Sequence, residues 1–166
     1  TRTYTVTDAC GNSSTATAIF NISDNTLPVL NCPNNFTVNN DTGTCVSYVN
    51  VAVPIATDLC STVTLLNNFT NTSDASAVYP VGVTTVQWTA TDACGNSSIC
   101  NMTVTVSDQE APVLNCPSDT ITCSGTFTMN PATATDNCSV DTLYNDAPAV
   151  FPLGTTEVTW TAIDIY

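Results

Sequence analysis

Apolar and polar residues trade places along most of this chain. Between Val81 and Ala90, the residues Val83, Val86, Trp88 and Ala90 stand amid Thr and Gln. Met102-Thr103-Val104-Thr105-Val106 alternates in the same way. A period of two puts one side chain into a core and the next into water, as in a half-buried strand. β-Branched residues dominate these runs, and they suit a pleated surface. Turn residues interrupt them about every eight to twelve positions. Asp92-Ala93-Cys94-Gly95-Asn96 is a hairpin turn by composition, because Gly tolerates positive φ and Asp and Asn bond local backbone. Asn39-Asn40-Asp41-Thr42-Gly43 is a second turn. Helical periodicity is absent, so the sequence predicts an all-β fold.

The pattern also repeats. DNTLPVLNCP begins at Asp24 and DQEAPVLNCP at Asp108, an offset of 84; TDACGNSS begins at Thr7 and Thr91, the same offset. Ala56-Thr57-Asp58-Leu59-Cys60 matches Ala134-Thr135-Asp136-Asn137-Cys138 at offset 78, and Tyr79-Pro80-Val81-Gly82 matches Phe151-Pro152-Leu153-Gly154 at offset 72. Two six-residue deletions account for the drift, one around 39–44 and one between Cys60 and Tyr79. Residues 1–23 therefore read as the last strands of a repeat, 24–107 as a whole repeat, and 108–166 as a repeat without its final strand. An 84-residue unit with some seven short strands fits an immunoglobulin-like sandwich. Tyr4, Trp88 and Trp160 fall at one repeat position and read as core aromatics.

Composition narrows the function. One Lys or Arg against fourteen Asp or Glu gives a net charge of −13, the reverse of what nucleic acid or an anionic membrane surface attracts. With no His and a single cation, little general acid–base chemistry is available, so the chain is not expected to be an enzyme. Nine Cys point to an oxidising compartment. Zinc binding lacks both His and any C-x-x-C pair. No signal peptide and no run of about eighteen apolar residues is present, so no membrane insertion is expected in this segment. The first residue already lies inside a repeat, so the chain reads as a mature fragment or a window on a longer one.

The landmarks Pro28-Val29-Leu30-Asn31-Cys32-Pro33, Asp58-Leu59-Cys60, Pro80-Val81-Gly82-Val83-Thr84-Thr85-Val86 and Thr91-Asp92-Ala93-Cys94-Gly95-Asn96 together resemble the hyalin-repeat (HYR) family. The second copy carries Asp136-Asn137-Cys138 and Pro152-Leu153-Gly154, but Asp164-Ile165-Tyr166 departs from the Cys-Gly-Asn turn. The resemblance spans the whole chain. It implies tandem immunoglobulin-like β-sandwich repeats in extracellular adhesion and matrix proteins, and it brings no catalytic residues.

Three kinds of site follow from the residues. Cys60 ends one strand and Cys94 sits in a later hairpin at the same end of a sandwich, which favours a Cys60–Cys94 bridge. Cys32 with Cys45 recurs as Cys116 with Cys123, and co-occurrence favours local pairs Cys32–Cys45 and Cys116–Cys123. Cys10 and Cys138 then lack partners within these residues. Cys100 is the odd thiol: free, paired between repeats, or a competitor of Cys94 for Cys60. Asn-x-Ser/Thr occurs at Asn12, Asn21, Asn35, Asn40, Asn68, Asn71, Asn96, Asn101 and Asn137, about twice the chance frequency, which predicts covalent N-glycans. Asp24, Asp58 and Asp92 converge on one end of the repeat, where hard oxygens could hold Ca²⁺, with Asp108, Glu110 and Asp136 at the next junction. The competing reading is that these acids form Asx turns.

The expected function is a structural segment of an extracellular glycosylated fibre. Its partners are neighbouring repeats, or other copies joined head to tail by strand complementation. The alternative is a cell-surface adhesin that grips a carbohydrate or protein through its end loops, of which Asn67-Asn68-Phe69-Thr70 is the aromatic one.

Overall fold

The computed structural model describes residues 1–123 and 127–166. Among them are fourteen strands and no helix. The leading hairpin is β1 (Arg2–Thr7) and β2 (Ser13–Ala18). The central repeat holds β3 (Val29–Asn31), β4 (Phe36–Asn39), β5 (Val46–Val49), β6 (Ile55–Thr57), β7 (Val63–Asn67), β8 (Ala77–Pro80), β9 (Gly82–Asp92) and β10 (Ser97–Ser107). The last part holds β11 (Val113–Asn115), β12 (Thr133–Thr135), β13 (Val140–Asn145) and β14 (Trp160–Asp164). The chain is all-β and its central repeat is an immunoglobulin-like sandwich.

One layer of that repeat is a sheet in the order β4-β10-β9-β7, with β4 parallel to β10 and the other pairs antiparallel. β5 pairs with β8 and β3 with β6 on the facing side. Period-two alternation decides what lies between the layers. On β9 it turns Val86, Trp88 and Ala90 inward, and on β10 Met102, Val104 and Val106, all fully buried. Val49, Val51 and Tyr79 meet them from the other layer. The Trp88 indole N–H donates to the Ser73 carbonyl at 3.1 Å and the Tyr79 hydroxyl to the Ala75 carbonyl at 2.7 Å, so neither ring buries an unpaired polar tip.

The repeat is visible strand by strand. β3 pairs with β6 as Leu30 opposite Ala56, and β11 with β12 as Leu114 opposite Ala134. Asn67 faces Trp88 between β7 and β9, and Asn145 faces Trp160 between β13 and β14. The same sequence offsets thus give the same registers. Burial differs sharply: of twelve buried hydrophobic residues, Ala132 alone lies beyond Val106. The β1–β2 hairpin has every residue exposed except the partly covered Ala18.

Candidate functional site

The turns come first, because they aim everything else. In the β9–β10 hairpin, Asp92 Oδ1 accepts the N–H groups of Cys94 and Asn96, both at 2.8 Å, and Oδ2 accepts the Asn96 side-chain amide at 2.7 Å. Gly95 takes φ +92°, where a Cβ would clash with its own backbone. Asp8, Cys10, Gly11 and Asn12 build the same turn between β1 and β2. Burial pushes the Asp92 carboxyl up, but the bonds from Asn96, Cys94 and Gly95 outweigh it and hold it below the ordinary value. Asp8 is lowered first by the Asn12 side chain. Asp58 Oδ1 receives Cys60 N at 2.8 Å and Ser61 N at 3.0 Å; Asp136 Oδ1 receives Cys138 N and Ser139 N at the same distances.

These turns assemble a junction between the repeats. The Asn40–Cys45 loop of the central repeat lies against residues 108–110 and 136–138. Glu110 Oε1 accepts the Gly43 N–H at 2.7 Å and the Asn40 amide at 3.2 Å. The Gln109 N–H donates to Asn40 Oδ1, and the Asn137 amide donates to the Thr44 carbonyl at 3.0 Å. A disulfide joins Cys45 to Cys138 with Cα atoms 4.6 Å apart. Tyr166 borders an adjoining surface depression with Val81, Gly82 and Val106.

The disulfides overturn the expected local pairs Cys32–Cys45 and Cys116–Cys123, and they give Cys138, expected to lack a partner, a bond to Cys45. Cys32 bonds Cys100, not Cys45, with Cα atoms 5.8 Å apart. Parity is the reason: Cys100 is in phase with Met102 and Val104 on β10, and Cys32 is in phase with Leu30, so both thiols point into the sandwich beside Trp88. Cys45 also packs on the edge of the core, in step with Ser47 and Val49, at the end next to the following repeat. Cys116 and Cys123 carry free, exposed thiols and form no local pair. Cys116 takes the place of Cys32, whose partner sits on β10, a strand without a counterpart in 108–166. Cys100 is therefore not the odd thiol. The register that would have revealed it was present in the sequence as period-two phase.

Cys60 and Cys94, the third expected pair, are likewise free and exposed rather than bridged, and their turns adjoin. β7 and β9 pair as Val63 opposite Asp92, and just beyond that register the Ala93 N–H donates to the Ser61 hydroxyl at 3.2 Å. The carboxylate of Asp24, then burial, then Asp58, the neighbouring Cys94 and Asp92 push the Cys60 thiol up.

The acids sort differently from the sequence expectation. Asp24, Asp58 and Cys60 bring ligand atoms within 4.8 Å of one another, and so do Asp108, Asp136 and Cys138. Asp92 is not part of the first group, because both its oxygens cap its own turn. The Thr26 hydroxyl bonds Asp24 and reaches Asp58 at 3.4 Å. One oxygen each of Asp24, Asp108 and Asp136 is buried with no hydrogen-bond partner. Glu110 binds loop backbone instead.

Of the nine sequons, Asn12, Asn21, Asn35, Asn68, Asn71 and Asn101 are exposed. Asn35, Asn68 and Asn101 engage only Oδ1, accepting from Thr103 N, Gln87 N and the Gln87 amide. Asn12, Asn40, Asn96 and Asn137 donate through the Nδ2 atom that a glycan would occupy. In the aromatic loop, Phe69 stacks on Tyr79 with centroids 4.4 Å apart, and Asn67 is buried and pins the loop backbone. That ring serves packing.

A family model described as HYR domain matches residues 23–106. A protein named Hyalin from Strongylocentrotus purpuratus is 34% identical over 126 residues, covering 72% of this chain and 10% of that protein. A protein named Hyalin from Lytechinus variegatus is 36% identical over 124 residues, covering 72% of this chain and 23% of that protein. The chain thus spans a small fraction of the curated relatives it matches.

Proposed function

The chain belongs to the HYR domain family and works outside the cell, and from that premise we propose that it is a structural segment of an extracellular fibre whose successive repeats are locked to one another. The observation that carries this is the junction. A disulfide from Cys45 to Cys138 and four hydrogen bonds through Asn40, Glu110, Gln109 and Asn137 cross from one repeat to the next. A flexible tether between independent ligand-binding modules would need none of them. Particle images of the oxidised chain should show one narrow distribution of inter-repeat angles, broadening in the Cys45→Ser variant. A broad distribution in both would refute the rod.

The proposed role is mechanical, in keeping with the HYR domain match. Glycans at Asn21, Asn35, Asn68, Asn71 and Asn101 supply a solubilising coat that the few charged side chains do not. The paired carboxylates suit Ca²⁺: Asp24 with Asp58 and Asp108 with Asp136 each converge, and three of their oxygens are buried without a donor. The ion would stiffen the linkers at both ends of the central repeat.

A second element of assembly rests on β14. Its counterpart β9 is paired on both sides, by β7 and β10, whereas β14 is paired by β13 alone. Its outer edge takes a strand equivalent to β10, which the same chain or another copy supplies. Light scattering distinguishes the sources: open-ended growth with concentration indicates another copy, and a constant monomer mass excludes it.

A further inference from the structure

Cys60 and Cys138 leave identical turns, yet only Cys138 is bridged across a junction. What differs is the residue opposite. The β9–β10 hairpin of the central repeat places Cys94 beside Cys60. The equivalent position after β14, at offset 72, is Tyr166, which has no thiol and lies at the junction beside Val81 and Val106. The middle residue of each turn differs as well. Asn137 donates to the Thr44 carbonyl across the junction, whereas Leu59 is fully exposed.

We propose that the hairpin residue represented by Cys94 and Tyr166 selects between two bridges. Where it is Cys, it captures the Asp-x-Cys thiol within the repeat, as Cys60–Cys94. Where it is another residue, that thiol is left to bond the Gly-Thr-Cys thiol of the preceding repeat, as Cys138 bonds Cys45. Chain entropy favours the first choice when it exists, because Cys60 and Cys94 close a shorter loop within one folded unit. Forming Cys60–Cys94 breaks two S–H bonds and makes one S–S bond. The two protons and two electrons pass to a disulfide oxidant such as glutathione disulfide, whose own S–S bond breaks to give two thiols. A fibre can thereby alternate closed repeats with stapled junctions according to one residue per repeat. The inference deepens the fibre reading, but its test reads bridges and not mechanics, so the two fail separately.

The test uses the full chain with Cys10, Cys116 and Cys123 replaced by Ser, oxidised by glutathione disulfide and then alkylated without reduction. Intact mass should show no adduct. Two alkyl or glutathione adducts at Cys60 and Cys94 in folded protein would overturn the proposal. In the same background, Tyr166→Cys should draw Cys138 away and expose Cys45 to alkylation. Continued protection of Cys45, with the introduced thiol labelled, would also overturn it. Cys94→Ser provides the control that need not disturb the core: a single label, at Cys60, is expected, and a protected Cys60 would contradict the selection.

Discussion

Asp92 shows how one side chain can set a loop. Its carboxylate gathers two backbone N–H groups and one side-chain amide, and Asn96 passes the same amide on to the Asp24 carbonyl at 3.1 Å. The folded carboxyl is held below its ordinary value, so its contribution to stability is complete above about pH 4 and is lost as pH falls through the lower, folded value. Asp8 and Asp74 are lowered too and act in the same direction. Thermal stability should therefore fall on acidification below about pH 4, and Asp92→Asn should flatten that slope; an unchanged slope would place the titration elsewhere. Tyr79 tests a different bond. Tyr79→Phe leaves the ring in place and strands the Ala75 carbonyl, so denaturant titration should report a loss of about 1–2 kcal/mol. The turns were legible in the sequence because Asp, Gly and Asn at fixed spacing have local causes. The cation expectation for Asp92 misled because the same oxygens serve either a turn or a metal, and sequence does not show which donors reach them first.

At the scale of strands, phase carries the information. The alternation along β9 and β10 identified the inward set, and Trp88 lies at its centre, fully buried. Trp88→Ala should cost about 3–5 kcal/mol, while Leu66→Ala on the exposed face of β7 should stay within about 0.5 kcal/mol; equilibrium unfolding of both variants checks the contrast. The same phase predicts which cysteines point inward, and it outranks recurrence as a guide to pairing. Recurrence says only that Cys32 and Cys45 are both needed in a repeat. Phase says that Cys32 and Cys100 share the core with Trp88; it also sets Cys45 in step with Ser47 and Val49, and the place of Cys45 at the strand end beside the junction decides its partner. Short strands such as β3 and β6 were harder to read. Three residues hold too few alternations to declare a period, and their pairing is set by contacts distant in the chain.

At the scale of the molecule, the junction between repeats governs how the parts unfold. The fold class and repeat boundaries were legible because period and offset are one-dimensional properties. The Cys45–Cys138 bridge was not, because nothing local announces that a loop of one repeat meets a turn of the next, 93 residues away. That bridge has a thermodynamic consequence. Among the described residues, 108–166 contribute one buried apolar side chain, Ala132, against eleven from the central repeat, so their own core holds them weakly. Closing a loop of this length removes on the order of 4–5 kcal/mol of freedom from the unfolded chain in the entropy model of cross-links. It also presents Asn137 and Glu110 to the Asn40–Cys45 loop at high local concentration. Calorimetry of the oxidised chain should therefore show one main transition in which both repeats take part. Replacing Cys45 and Cys138 together by Ser keeps Cys32–Cys100 and the fully buried residues around Trp88, and trims only the edge of the core. It should split off an earlier, smaller transition from residues 108–166, visible by hydrogen exchange as early loss of protection in β13 and β14. A single transition at unchanged temperature in the double variant would mean that hydrogen bonds alone hold the junction, and that the bridge merely fixes a geometry already formed.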